Sequence, residues 1–377
     1  MAEDTLTYSP GLEGVIAGET TISFVNPQLV SLMYRGYDIR DLVNQSTFEE
    51  TAYLLLYGHL PSQQEYDEFT TTLKKERTLP KQVVDAFYTF PKNNHPMDLL
   101  RAGVSLLALH DPENMDTSHD ANIKRSVRLL AKFPAIIAHT YRICKGQEPV
   151  EPDNTLGHSE NFLYMLQGEK PDPHTAKLLD ATLICYAEHG FNASTFCGRV
   201  TVSTLSGIYS GTVSAIGTLK GPLHGGANEE AMKMLQEIGS VANAEKWTLD
   251  ALATKKKIMG FGHRAYKTGD PRAAILTKMA REQAERLGDT KWADMADIVE
   301  ATMKREKNII ANVDFPTSYM YYQMGLPIDI YTPIFALSRI SGWCAHMVEQ
   351  LDNNRLVRPK AIYNGPQHVD YVPIERR

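Results

Sequence analysis

Apolar residues recur at helical spacing along most of this chain. TFEETAYLLLYGHLP opens with Thr47 and Glu50 three residues on, a capping-box spacing, and stops at Gly58 and Pro61. SQQEYDEFTTTLKKER follows, with Tyr66, Phe69 and Leu73 on one predicted helix face. MDLLRAGVSLLALH, IKRSVRLLAKFPAIIAHTYRICKG and TAKLLDATLICYAEHG read as further helices, the last apolar on several faces and so expected to be buried. VTVSTLSGIYSGTVSAIGTLKG is rich in Ser, Thr, Gly and Val. Its periodicity fits strands or a buried helix; its small residues, which allow close packing, favour one buried helix. The best strand candidate is GVIAGETTISFVN, ending at Asn26-Pro27, which predicts a short hairpin or ribbon near the N-terminus.

After Gly221 the pattern thins. PLHGGANEEAMKMLQEIGS predicts a turn and then a helix capped by Asn228, with Glu229 and Glu230 in its first turn, where the helix dipole favours acids. ILTKMAREQAERLG and WADMADIVEATMKREK are polar amphipathic helices. They suggest a smaller helical domain over residues 223–326. IDIYTPIFALSRISGWCAHMVEQL then returns to a long apolar helix that rejoins a large domain formed by residues 1–222 with 327–377. The tail RLVRPKAIYNGPQHVDYVPIERR is irregular. With so few strand candidates, the fold class is mainly α.

One stretch breaks the helical text. KKKIMGFGHRAYKTGDPR, from Lys255 to Arg272, is crowded with Lys and Arg, and its only acid is Asp270. So many charges cannot be buried unpaired, and three glycines and a proline interrupt any helix. It suits a loop bringing His263 and several cations to an anionic ligand, or a plain solvated basic loop. The net charge of -6 over 377 residues gives no whole-molecule reason to bind nucleic acid or anionic membrane. The four cysteines, Cys144, Cys185, Cys197 and Cys344, form no CxxC pair, which argues for a reducing, cytoplasmic setting. No basic and apolar leader stands at the N-terminus, and no 18-residue apolar run exists.

Three histidines lie beside glycine in non-helical contexts: His189 (AEHGFNAST), His224 (GPLHGGANE) and His263 (GFGHRAY). A lone histidine is more often structural than catalytic, but three placed at helix boundaries are less easily set aside. Just before a helix N-terminus an imidazole tends to stay neutral, and neutral imidazole can donate to a carbonyl or enol oxygen. Asp314, in IIANVDFPTS, follows an apolar run. It reads either as a helix cap or as a carboxylate made more basic by apolar surroundings and able to act on a weakly acidic C–H. Arg272, Arg339 and Arg358 stand near turns or within apolar sequence; each could clasp a carboxylate or serve a structural salt bridge.

Other signals fail. GFGHRA, from Gly260 to Ala265, matches GxGxxA but lacks a strand before it and a clean helix after it. There is no Walker loop, HExxH or GxSxG, and no metal-ligand spacing.

YRGYDI, NHPMDLLRAGVS, EHGFNASTF, GPLHGGANE, GFGHRAYKTGDPR, NVDF, YTPIFALSRISGW and RLVRPKAIYNGP stand in this order, and the series resembles that of the citrate synthases from about residue 11 to 374. The chain is similar to the short bacterial and archaeal type, without the longer N-terminal extension of NADH-inhibited hexameric members. The resemblance implies a mainly helical fold with a large domain and a small mobile domain, working as a homodimer. It implies condensation of acetyl-CoA with oxaloacetate and hydrolysis of citryl-CoA to citrate and CoA, a reaction of the tricarboxylic acid cycle, with no metal or redox cofactor.

By the same resemblance Asp314 is the base, His224 the neutral donor to the enol, and His263 the group that polarises the oxaloacetate carbonyl. His189, Arg272 and Arg339 would cage the dicarboxylate, and Arg358 would reach it from the other subunit. Lys255, Lys256, Lys257, Arg264, Lys267, Lys304 and Lys307 are candidates for the CoA phosphates. Ala311 and Ala265 stand where many members have proline and valine, and Pro316 follows Asp314 closely. The related 2-methylcitrate synthases, which use propionyl-CoA, share NHPMD and EH-FNASTF. Their histidine motif reads GHPVY against GHRAYK here, so Arg264 and Lys267 favour citrate synthase. A methylene changes binding by only about 1–3 kcal/mol, which leaves dual use open. A catalytically silent, structural or self-assembling paralogue is the remaining alternative; intact His224, His263 and Asp314 speak against it.

Overall fold

The computed structural model describes residues 8–26, 28–114, 116–263, 266 and 269–377. Near the N-terminus three short antiparallel strands form a ribbon: β1 (Ser23–Asn26), β2 (Ser31–Tyr34) and β3 (Tyr37–Asp38), with Ser23 opposite Tyr34 and Met33 opposite Asp38. Only the end of the expected strand segment joins it. Upstream, the Thr21 backbone N–H and hydroxyl are taken by Glu349 Oε1, at 2.8 and 3.2 Å, instead of by a neighbouring strand.

Sixteen α-helices follow among the described residues. The first half holds α1 (Ile39–Gln45), α2 (Phe48–Tyr57), α3 (Gln63–Glu76), α4 (Lys81–Phe87), α5 (Pro96–Leu109), α6 (His119–Cys144), α7 (His158–Gln167) and α8 (Pro173–Tyr186). The second holds α9 (Ala193–Val202), α10 (Ile208–Leu219), α11 (Ala227–Ile238), α12 (Val241–Ala253), α13 (Pro271–Leu287), α14 (Lys291–Lys307), α15 (Asp314–Gln323) and α16 (Tyr331–Asp352). At α2 the Thr47 hydroxyl accepts the Glu50 N–H at 3.2 Å, as its spacing predicts. A full reciprocal capping box forms one helix later, between Ser62 and Glu65.

Two expectations need correction. The Ser/Thr/Gly-rich stretch is two helices, α9 and α10, because Leu205 and Gly207 adopt positive φ (65° and 86°) and break it. Its small residues still serve close packing: a Cβ on Gly211 would lie 2.3 Å from Met347 Sδ of α16. The second correction concerns α11, which is capped at Gly226, not Asn228. Asn228 sits inside the first turn and accepts the Glu229 N–H at 2.8 Å. The helices that the sequence reading passed over, α1, α4, α7, α12 and α15, are mostly short, and α15 lacks a clean apolar stripe.

The core centres on α16, buried along nearly its whole length and packed on α2, α6, α8, α9 and α10. Burying each large apolar side chain contributes about 1.5–3 kcal/mol, so a helix apolar on every face belongs at the centre. Further along the chain α12 packs on α14, and α11 and α13 pack on α15. Among the described residues no helix is long and apolar enough to cross a membrane.

Candidate active site

Four segments converge on one buried polar cluster. The turn after α8 carries His189; the loop between α10 and α11 carries His224; the loop before α13 carries His263; α15 begins at Asp314. Backbone pairing between two of them sets the register. Gly262 N–H donates to Ile310 O at 3.0 Å, Asn312 N–H to Gly260 O at 2.9 Å, and Asn312 Nδ2 to Gly262 O at 3.0 Å. This bridge lays the His263 loop along the segment that leads into Asp314.

Asp314 is not a cap. Val313 holds the cap position with no side-chain cap bond, the Asp314 N–H donates to Asn312 Oδ1 at 3.0 Å, and the Asp314 carboxylate lies inside the protein. There its Oδ1 accepts the hydroxyl of buried Tyr186 at 2.7 Å. Burial pushes the Asp314 pKa up to about 6, although the Tyr186 hydrogen bond and Arg272 pull the other way.

His224 Nε2 lies 3.3 Å from the Ser194 backbone N–H and 2.8 Å from its hydroxyl. A backbone N–H can only donate, so Nε2 is an acceptor and the neutral ring carries its proton on Nδ1. The Ser194 hydroxyl accepts the Trp343 indole N–H at 3.1 Å, and its single proton is shared between His224 Nε2 and Asn192 Oδ1, each 2.8 Å away. Burial, reinforced by Arg339, brings the His224 pKa down to about 4, so the ring is neutral near pH 7.

His263 Nδ1 accepts the Tyr266 N–H at 3.2 Å, which places the proton of its neutral form on Nε2. Its ring centroid lies 5.0 Å from that of His189. His189 is held strongly neutral by burial, then by Arg272 and His263. Among the described residues its Nε2 is buried without a hydrogen-bond partner, an orphan of the kind a polar ligand satisfies.

Two buried arginines complete the cluster and differ in their commitments. Arg272, in the first turn of α13, is gripped by Asp270 through Nε at 3.0 Å and Nη2 at 2.8 Å. Burial opposes its charge, and Asp270 more than offsets that. Arg339, on α16, donates Nε–H to the Tyr186 carbonyl at 2.6 Å and stacks over Phe335, with Cζ 4.7 Å from the ring centroid. No described carboxylate forms an ion pair with Arg339, and burial brings its pKa down to about 10. Phe335 also packs on Tyr186, with centroids 4.2 Å apart, and closes an apolar wall beside His224.

The fold thus brings together His189, His224, His263, Arg272, Arg339 and Asp314. It does not bring in every candidate. Arg358 is exposed on the tail, which Val357 and Asn354 pin to Ser203. Lys255, Lys256, Lys257, Lys304 and Lys307 are exposed, and Lys256 is engaged by Glu237 at 2.6 Å and stacked over Trp247. Arg264 and Lys267 lie outside the described residues, as does Ala265. Sequence reading missed Tyr186, Ser194, Asp270 and Phe335. Of these only Asp270, alone among cations in its loop, carried a sequence signal. No cluster of metal-ligating side chains occurs among the described residues.

The family described as citrate synthase, C-terminal domain, matches residues 11–360. Citrate synthase 2 of Bacillus subtilis (strain 168) is 48% identical over 373 residues, covering 99% of this chain and 100% of that one. 2-Methylcitrate synthase 1 of Corynebacterium glutamicum is 44% identical over 375 residues, covering 97% and 98%. The fold matches the citrate synthase of the thermophilic archaeon Thermoplasma acidophilum, solved as a ternary complex with carboxymethyl coenzyme A and oxaloacetate. That match has a TM-score of 0.93 at 34% identity and covers 98% of this chain and 99% of that one. Likeness of this extent in both sequence and fold makes the chain a member of the citrate synthase family.

Proposed function

We propose that this chain is an acyltransferase that condenses acetyl-CoA with oxaloacetate and water to give citrate and CoA. The observation that carries the reading is the pairing of a buried carboxylate of raised basicity, Asp314, with an imidazole, His224, fixed neutral with its proton on Nδ1. Removing a proton from a thioester methyl group requires both a placed base and a donor to the developing enolate oxygen. Asp314 takes the proton, and His224 Nδ1–H stabilises the oxygen. A neutral donor suits this task because it can share its proton without presenting a full charge to a ground-state carbonyl.

His263 polarises the ketone of oxaloacetate through Nε2–H, the enol carbon attacks that ketone, and the His263 proton passes to the oxygen as the alcohol of citryl-CoA forms. Arg339, Arg272 and His189 hold the two carboxylates, with Arg339 the more available fork because Asp270 occupies much of Arg272. Hydrolysis of citryl-CoA then releases CoA. The chemistry asks for no metal or redox cofactor. Lys255, Lys256, Lys257, Lys304 and Lys307, with Arg264 and Lys267, are the proposed phosphate contacts for CoA. Residues 223–326 form the small domain, which closes over bound oxaloacetate against residues 1–222 with 327–377 and excludes water. Scattering profiles that do not change on adding oxaloacetate would count against closure.

The working unit is a homodimer in the cytoplasm. The tail from Leu356 to Ile374 exposes Leu356, Ile362, Tyr363, Val369, Tyr371 and Ile374, apolar surface that a second subunit would cover. Arg358 lies on that tail and is proposed to enter the partner's site. Mixing inactive Arg358→Ala and Asp314→Asn subunits then restores part of the activity; no recovery despite subunit exchange contradicts sharing.

A second reading, propionyl-CoA as the acyl donor, is favoured by the 2-methylcitrate synthases among the relatives. The deciding experiment is CoA thiol release with oxaloacetate, comparing acetyl-CoA and propionyl-CoA. A kcat/KM strongly favouring acetyl-CoA supports citrate synthase. Equal or greater turnover of propionyl-CoA supports the second reading, and no release with either rejects both.

A further inference from the structure

Behind the cage lies a buried carboxylate that takes no part in the chemistry above. Glu188, in the turn after α8, is fully buried. Its Oε1 accepts from Ser23 Oγ at 2.9 Å, from His346 Nε2 at 2.8 Å and from the Gly190 N–H of its own turn. The Gly190 N–H also lies 3.0 Å from Ser23 Oγ, so the β1 strand and α16 together grip the turn that carries His189. Among the described residues Oε2 has no hydrogen-bond partner. It faces α16 where Gly342 has no side chain; a Cβ there would lie 2.4 Å from Oε2 and 2.3 Å from Ala187 O.

A buried carboxylate bonded on one oxygen alone is costly unless its charge is used. Burial works against its ionisation, but His346 and then Arg339 hold its pKa below the usual carboxylate range. Glu188 is in turn the strongest influence sustaining the charge on Arg339, whose Nε is bonded to the Tyr186 carbonyl. The two arginines of the cage are therefore treated differently. Asp270 takes Nε and Nη2 of Arg272 by direct contact, whereas among the described residues no carboxylate takes a nitrogen of Arg339.

We infer that Glu188 is a positioning residue for the dicarboxylate substrate: it clamps the turn that aims His189 and sets its carboxylate against Gly342, one turn of α16 from Arg339, while leaving that guanidinium for the substrate carboxylate. This rests on the citrate synthase reading of the site. Specificity for the dicarboxylate half of the reaction follows, because neither His189 nor Arg339 is assigned to the thioester.

The test is calorimetric binding of oxaloacetate together with steady-state kinetics for Glu188→Gln and Ser23→Ala, with melting temperatures recorded alongside. Glu188→Gln keeps an acceptor at Oε1 and removes the charge. It is expected to weaken oxaloacetate binding and raise its KM at least about tenfold, while KM for acetyl-CoA at saturating oxaloacetate stays within about threefold. Ser23→Ala removes one donor at the rim and is expected to weaken oxaloacetate binding about threefold; it carries the test if the glutamine variant does not fold. Unchanged oxaloacetate affinity overturns the inference. So does tighter binding, the result if Glu188 merely repelled the dianion, and so do parallel losses in both KM values and kcat with a falling melting temperature. A parent chain that binds no oxaloacetate overturns both this inference and the functional reading; a parent that binds it while the variants match it overturns this inference alone.

Discussion

The hydroxyl of Tyr186 donates to Asp314 Oδ1 across 2.7 Å, while the carbonyl of the same tyrosine accepts the Arg339 Nε–H at 2.6 Å. One residue at the end of α8 thus touches both the proposed base and the proposed carboxylate clamp. Tyr186 is fully buried, so its hydroxyl has no water to compete for that proton.

This contact sets the pH dependence. The base must be ionised to act, so kcat should fall on the acid side of an apparent pKa near the Asp314 value of about 6. The Tyr186 hydrogen bond stabilises the carboxylate and lowers that value. Tyr186→Phe removes it, so the acid limb should move upward in the kcat–pH profile. An unmoved limb, or one displaced downward, would show that Asp314 is not the titrating group.

Asp314→Asn should lower kcat by about 10²–10⁴-fold, the range for loss of a general base, while oxaloacetate binding is kept. The same substitution has a stability signature. The folded carboxyl pKa, about 6, lies above its ordinary value of 3.8. The native state therefore holds the proton more tightly, and the contribution present at low pH is lost as pH rises through about 6. A two-unit shift corresponds to about 2–3 kcal/mol. The asparagine variant should melt higher than the parent at pH 7.5, and the gap should close toward pH 4.

Arg272 and Asp270 form a buried pair, with 3% and 4% of their surfaces exposed. Arg272→Gln leaves Asp270 buried and unpaired and should cost about 3–5 kcal/mol in denaturant unfolding. Adding Asp270→Asn should recover much of that loss, because the stranded charge is gone. Equal instability of the single and double variants would show that the cost came from packing.

Ser194→Ala removes the hydroxyl at 2.8 Å from His224 Nε2 but keeps the backbone N–H at 3.3 Å. The tautomer survives with a weaker hold. A decrease in kcat of about tenfold with little change in either KM is expected, about the worth of one hydrogen bond. A fall in substrate affinity instead would place Ser194 in binding and not in orienting His224.

The sequence by itself determined the helical class, the short ribbon and the non-helical segments that hold His189, His224 and His263, and it singled out Asp314. These features are local: apolar spacing, glycine breaks and capping residues act over a few positions and can be read there. Arg339 was legible too, as a guanidinium inside an apolar helix. Tertiary structure decided the partners. Tyr186 reads as one more apolar position of α8, and only the meeting of α8 with α15, 128 residues apart, puts its hydroxyl on Asp314. Whether Asp314 caps its helix or faces the site was settled by packing: Val313 holds the cap position, and the carboxylate meets the Tyr186 hydroxyl in the interior. Ser23, Glu188 and His346 lie in three distant segments, and no spacing links them. Their network exists because a buried charge must find its partners wherever the packed core brings them.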